Sequence, residues 1–306
     1  MSLQPPSFFA PVGDPKPGLG YGLVYRGTEA TAFRSVFALL LGFSGFALVV
    51  PLVSQLILRI GHLLRGGDWT AYLADSYEYP EGLAAGHLAL AMLIPISILL
   101  VRYVIGVRPG WLASVQPGIR WRYLVVCVAV AAVALNGVLW LSFAVSKGLP
   151  TFHAGQEGWP VFVAVLILSS PLQAAAEEVF FRGFVLQAIG SATGRGWVGV
   201  VGSAVLFALL HGVQNPALFA HRLAFGLVAG GLVVVTGGLE AGIAAHAVNN
   251  VAAYGYAIFT ASIAELKGVT AVTWADAAWD IAGFVVFGFL AWGIGSRVFR
   301  LPTTTP

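Results

Sequence analysis

The run Leu172-Gln173-Ala174-Ala175-Ala176-Glu177-Glu178-Val179-Phe180-Phe181-Arg182-Gly183-Phe184 sets two adjacent carboxylates and a guanidinium inside an otherwise apolar segment, about residues 159–189. About 20 apolar residues are enough to cross a bilayer as a helix. Each ionised side chain deep in a membrane costs on the order of 2.5–3.5 kcal/mol on insertion scales, so three together need a compensating role. Folded chains are only marginally stable, and such residues mark a functional site by default.

The rest of the chain has the same character. Its 306 residues are 58% hydrophobic and only 9% charged, whereas soluble domains are nearer 25% charged. Eight apolar segments stand out, at about 36–58, 84–105, 123–145, 159–189, 197–211, 217–235, 239–259 and 277–298. Long unbroken runs are not the alternating strands of a barrel. The expected fold is all-α, a polytopic transmembrane helical bundle of about eight spans. Residues 1–35, rich in Pro and Gly, lack the pattern of a cleavable signal peptide and are expected to form a mobile N-terminal cytoplasmic tail. Residues 301–306 form a short C-terminal tail. The lone Cys127 excludes an internal disulfide framework and suits a small core position.

Lys and Arg fall unevenly between alternate loops. Lys16, Arg26, Arg34, Arg102, Arg108, Arg120, Arg122, Arg195, Arg297 and Arg300 occupy one set; Arg59, Arg65, Lys147 and Lys267 occupy the other, beside Asp68, Asp75, Glu78, Glu81 and Glu157. The positive-inside bias puts both termini in the cytoplasm, as expected of a multi-pass protein of a bacterial plasma membrane. The net charge of +3 reflects this topology. No aromatic-interleaved basic patch points to nucleic acid.

Three helices carry polar groups inside their spans. The fourth has Glu177, Glu178 and Arg182; the fifth ends Phe207-Ala208-Leu209-Leu210-His211; the seventh contains His246-Ala247-Val248-Asn249-Asn250. Residues four apart share a helix face, so Glu178 can reach Arg182, His246 lies over Asn250, and Phe207 stacks against His211. Glu177 is turned roughly 100° from Glu178 and points elsewhere. At about 1.5 Å per residue from the cytoplasmic end, His211 lies roughly 21 Å in, His246 about 10 Å, Asn250 about 16 Å and Glu177 about 18 Å. The four are expected to converge in a site open to the cytoplasmic side. The fourth segment is too long for one straight span; Ser169-Ser170-Pro171 can kink it, and Gly183 permits a close neighbour.

Arg182 compensates Glu178. That leaves Glu177 as a carboxylate able to act as general base on water. His211 can orient that water or pass its proton to a leaving amine, and His246 and Asn250 offer donors to an oxyanion. The chemistry this suggests is amide hydrolysis by activated water.

Glu177-Glu178-Val179-Phe180-Phe181-Arg182-Gly183, then Phe207 with His211, then His246 with Asn250, resemble in order the three motifs of the CAAX protease and bacteriocin-processing family of intramembrane endopeptidases. The resemblance covers roughly residues 160–255 and implies a CAAX-protease-like catalytic core over 156–300. The helices of 36–155 fall outside it and have no assigned role. It implies that Glu177 activates water with His211, that His246 and Asn250 form the oxyanion site, and that Glu178, Arg182 and Phe207 support them. The substrate would be a peptide or membrane protein, lipidated or not, met at the lipid bilayer. Family members have often been labelled metalloproteases. A zinc site would take Glu177, His211 and His246 as ligands, but no His-Glu-x-x-His pair is present, and metal-free activation is favoured.

Blander readings compete. The glutamate–arginine cluster can knit a bundle together, a single interior His is more often hydrogen-bonded than catalytic, and Asn250 can serve as interhelical glue. His62, His87 and His153 suit span ends or loops; His221 and Arg222 either face the cavity or snorkel. Glu240 suits a helix N-terminus. Gly42-Phe43-Ser44-Gly45 resembles the serine motif of rhomboid proteases, with helix packing as the simpler account. A membrane interaction or bacteriocin self-immunity protein on the same scaffold is the non-enzymatic alternative. A proton-coupled transporter would show inverted repeats, and none is seen.

Overall fold

The computed structural model describes residues 12–27 and 32–306. Eight long helices follow one another: α1 (Ala32–Arg65), α2 (Pro80–Ile105), α3 (Trp121–Ser146), α4 (Trp159–Thr193), α5 (Gly196–Leu209), α6 (Pro216–Thr236), α7 (Glu240–Thr260) and α8 (Trp274–Arg297). Six of them are long and apolar enough to cross a membrane. The other two each carry or lead to polar residues of the expected site. α5 has only 14 residues, and α7, at 21 residues, is diluted by His246, Asn249 and Asn250. Two short helices, Trp69–Ala74 and Ile263–Gly268, lie in the connections. Among the described residues the only β pairing is three isolated bridges. The molecule is an integral, multi-pass helical membrane protein.

α7 packs between α3 and α4, α6 between α5 and α8, and α2 lies along α4. Small residues set the close approaches. A Cβ at Gly42 of α1 would come within 2.7 Å of the Phe184 ring, so the Gly42–Gly45 stretch serves packing. Ser44 faces outward. A Cβ at Gly183 would meet the Leu112 carbonyl at 3.2 Å, so a neighbour does approach closely there.

Loops sort cleanly to two ends. At one end lie both terminal segments together with residues 106–120, 194–196 and 237–239. Gly13 bridges Val107, Gly20 bridges Thr304, and Ser114 bridges Gly238. Here the structure corrects the expectation of a mobile tail, as far as residues 12–27 go; residues 1–11 and 28–31 lie outside the described residues. Tyr21, Val24 and Tyr25 in the 3-10 turn Tyr21–Gly27 are wholly buried. The Tyr21 hydroxyl donates to the Leu112 carbonyl. These side chains are large enough to anchor a Pro/Gly-rich segment by burial alone. The last residues are tied down with them: the Thr305 hydroxyl donates to the Lys16 carbonyl at 2.6 Å and accepts from the Leu19 N–H at 3.0 Å. Glu240, expected simply to cap α7, is fully buried and paired with Arg120, whose Nε and backbone N–H each donate to Oε1 at 2.9 Å.

The opposite end gathers residues 61–81, 148–158, 210–215 and 261–273. His153 N–H donates to the Phe259 carbonyl at 2.9 Å, and Asn215 N–H to the Thr270 carbonyl at 2.8 Å. Lys267 lies over the rings of Tyr77 and Tyr254. His87 departs from its expected place at a span end. It is buried inside the bundle, with Nδ1 2.8 Å from the Ser169 hydroxyl and its ring against Tyr254.

Candidate active site

α4 carries Pro171 in its interior and changes pitch after Glu178, where Val179–Val185 forms a π-helical stretch. Such bulges are rare and recur at functional sites. Arg182 still returns to Glu178, with Nη1 3.0 Å from Oε1, and both side chains are completely buried. That contact is an ion pair without hydrogen-bond alignment, since no Arg182 nitrogen has an aligned acceptor. The guanidinium instead lies over the rings of Phe207 and Phe225, 4.2 and 5.3 Å from their centroids. Cation–π attraction in a desolvated site offsets part of its burial cost.

His246 joins the two glutamates. Its Nδ1 is 2.9 Å from Glu178 Oε1 and its Nε2 is 3.3 Å from Glu177 Oε2. A neutral imidazole donates through one nitrogen only. The ring thus lies between the two carboxylates, of which Glu177 is the one that faces the cavity.

His211 lies two residues past the end of α5, and its Nδ1 is 2.7 Å from the Phe207 carbonyl. A carbonyl only accepts, so Nδ1 carries the hydrogen and Nε2 is left for water or substrate. Phe207 separates the imidazoles, 4.6 Å from the His211 ring and 5.9 Å from that of His246. Asn250, one turn beyond His246, donates through Nδ2 to Gln173 Oε1 at 2.9 Å. Its second amide hydrogen is available to a ligand.

Glu177, His211, His246, Asn250 and Phe207 thus line one cavity of about 710 Å³, within the range of ligand sites. Glu178 and Arg182 lie behind its wall. Arg222 and His221 face into it; Arg222 donates to Gln214 Oε1 at 2.8 Å, and His221 Nε2 is 3.8 Å from Asp280 Oδ2. Among the described residues no three His, Cys, Asp or Glu side chains are disposed to hold a metal ion. Glu177, His211 and His246 share the cavity without forming such a triad.

Sequence reasoning passed over two positions. Gln173 precedes Glu177 by one helical turn and fixes Asn250; the i−4 spacing was its signal. Gly242 precedes His246 by the same interval, and a Cβ there would lie 2.8 Å from Glu178 Oε2. Glu178 is already held by His246 and Arg182 and cannot swing aside. Gly242→Ala is therefore expected to destabilise by about 1–3 kcal/mol through overpacking and to depress activity by displacing Glu178. Thermal unfolding in detergent measures the first effect; wild-type stability in that variant would refute the contact.

The mouth of the cavity is not where the sequence reading put it. Its walls come from Asn136, Leu139 and Phe143 of α3, the first turns of α6 and α8, and the 266–272 loop. Glu177, Phe181, Phe207 and His246 at mid-bundle are buried, whereas Leu210, His211, Lys267 and Val269 at the rim are exposed. The opening is at the end opposite the termini. The expectation that the site and the termini share one side is corrected. α5 is so short that a residue about 21 Å along it has already reached the far end.

A helical membrane bundle with an internal chamber of carboxylates, imidazoles and carboxamides defines the class of molecule. Residues 158–252 match the family model described as type II CAAX prenyl endopeptidase Rce1-like, the family the three motifs resemble. The chain is also 28% identical over 177 residues to the uncharacterized protein YyaK of Bacillus subtilis (strain 168). That alignment covers 55% of this chain and 58% of the relative, so the chain spans little more than half the length of the protein it matches. No solved structure matches.

Proposed function

We propose that the protein is an intramembrane endopeptidase that hydrolyses a peptide bond with water activated by Glu177 and His211, without a metal. The observation that carries the reading is that Glu177 faces the chamber while its neighbour Glu178 is engaged by Arg182 and His246. The two adjacent carboxylates therefore do different work: Glu178 holds His246 and Arg182 in place, and Glu177 takes the proton of water.

The attacking oxygen forms a bond to the scissile carbonyl carbon, and its proton passes to Glu177. The developing oxyanion is met by the second amide hydrogen of Asn250, with His246 beside it completing the site. The C–N bond then breaks as the proton taken up by Glu177 is passed to the leaving amine by way of His211 Nε2. Phe207 keeps the two rings at fixed separation. The protein sits in a plasma membrane with both termini in the cytoplasm, as the Lys/Arg distribution favours.

Incubation of the liposome-reconstituted protein with a peptide library tests the reading. Cleavage at defined bonds that persists after treatment with a strong chelator is expected. Activity abolished by chelation and restored by zinc would replace metal-free activation with the Glu177, His211 and His246 zinc alternative. A library left intact would refute the protease reading.

A further inference from the structure

Among the described residues the exposed rim of the chamber lies at one end of the bundle, and the charge distribution says which side of the membrane that end faces. The end bearing both termini is plugged. Tyr21, Val24, Tyr25, Val107, Leu112, Val115 and Leu239 are buried there, backbone bridges join residues 13, 20, 114 and 304 to their partners, and the Arg120–Glu240 ion pair is packed beneath them. The fully buried Glu178–Arg182 layer further separates that end from the cavity. No residue lining the cavity comes from 101–120, 193–200, 232–242 or 288–306. The exposed lining residues belong to the other end of the bundle, and burial relaxes from Glu177 to the rim at His211, Lys267 and Val269.

The plugged end is the cation-rich one. It holds Lys16, Arg26, Arg34, Arg102, Arg108, Arg120, Arg122, Arg195, Arg297 and Arg300. The open end holds Arg59, Arg65, Lys147, Lys267 and, on the chamber wall, Arg222. It is also where Asp68, Asp75, Glu78, Glu81, Glu157, Glu265, Asp276 and Asp280 collect. Cations in short loops near span ends stay on the cytoplasmic side, while acidic residues contribute little to orientation. The loops here are short, so the rule applies.

From this geometry we infer that the chamber opens away from the cytoplasm and takes its peptide substrate from the outer side of the membrane. On that orientation its substrates are exported peptides or the outer ends of membrane-spanning segments. Lipid-modified tails displayed at the cytoplasmic face have no route to Glu177. Apolar walls at Leu135, Leu139, Phe143 and Phe284 suit a hydrophobic segment drawn from that side. The choice of substrate rests on the protease reading above, but the direction of the mouth does not.

Side-selective labelling separates the two. Cys127 is the single cysteine and is buried, so Cys127→Ala gives a silent background. Val213→Cys places a thiol on the rim, where the residue is 85% exposed. Gln116→Cys places one on the exposed surface of the plugged end. With a membrane-impermeant maleimide and a bacterial host, Val213→Cys is expected to react in spheroplasts and Gln116→Cys only in inverted vesicles. The reverse pattern overturns the inference. So does reaction of either thiol from both sides, or of a Val213→Cys thiol that labels only after detergent solubilisation. The same pattern is expected with Glu177→Gln added, so an inactive protein leaves the orientation result standing, and a reversed orientation leaves the chemistry standing.

Discussion

Glu177→Gln is expected to lower kcat/KM by at least about 100-fold, the loss that follows when a general base is removed. The replacement is close to isosteric, and the lost side chain makes a single polar contact, 3.3 Å to His246 Nε2. The variant is therefore expected to insert and fold as wild type does. A carboxamide cannot accept the proton of an attacking water at neutral pH, so binding is retained while the chemical step is lost, with the fall in kcat rather than KM. Steady-state cleavage of a peptide substrate by matched liposome preparations reads this directly. Full-rate cleavage by a folded variant would remove Glu177 from the mechanism.

Glu178→Ala has the largest expected effect on stability. It leaves Arg182 with no exposure and without its counterion, since no other acceptor is aligned on the guanidinium. Breaking a buried ion pair by removing one partner costs roughly 3–5 kcal/mol, a large share of a total stability of about 5–15 kcal/mol. Thermal unfolding in detergent should show a marked fall in Tm. Replacing both partners, Glu178→Ala with Arg182→Met, removes the stranded charge and is expected to recover much of the loss. A double variant as unstable as the single one would mean that the pair is not the source of the penalty. Neither variant is expected to be active, because His246 loses its 2.9 Å partner.

How much of this was legible in the sequence differs from element to element. The eight helical segments were, because long apolar runs have few alternative readings, and even the 14-residue α5 is apolar. The spacings of four were as well: Glu178 with Arg182, Phe207 with His211, and His246 with Asn250 all meet their neighbourhoods as helical geometry requires. The bridging of both glutamates by His246 was not, because it depends on how α4 and α7 are rotated against each other, which no single-helix pattern fixes. Gly242 shows the same gap: its lack of a side chain matters only because the Glu178 carboxylate arrives from another helix. The docking of Tyr21, Val24 and Tyr25 was hidden by the Pro/Gly-rich composition around them. The direction of the mouth was recoverable in part. The lengths alone place His211 at the end of α5 away from the termini, but it is the plug formed by the terminal segments and the 106–120 loop that shuts the other side.

The assignment of Glu177 and His211 to one water is the claim on which the mechanism stands, and a double-mutant cycle on catalysis tests it most directly. kcat/KM is measured for wild type, Glu177→Gln, His211→Ala and the double variant on one peptide in one lipid composition. Residues that act as a unit give non-additive losses, so the double variant is expected to be about as slow as the slower single one. Losses that multiply across the cycle would mean that the two side chains act independently, and would contradict the account.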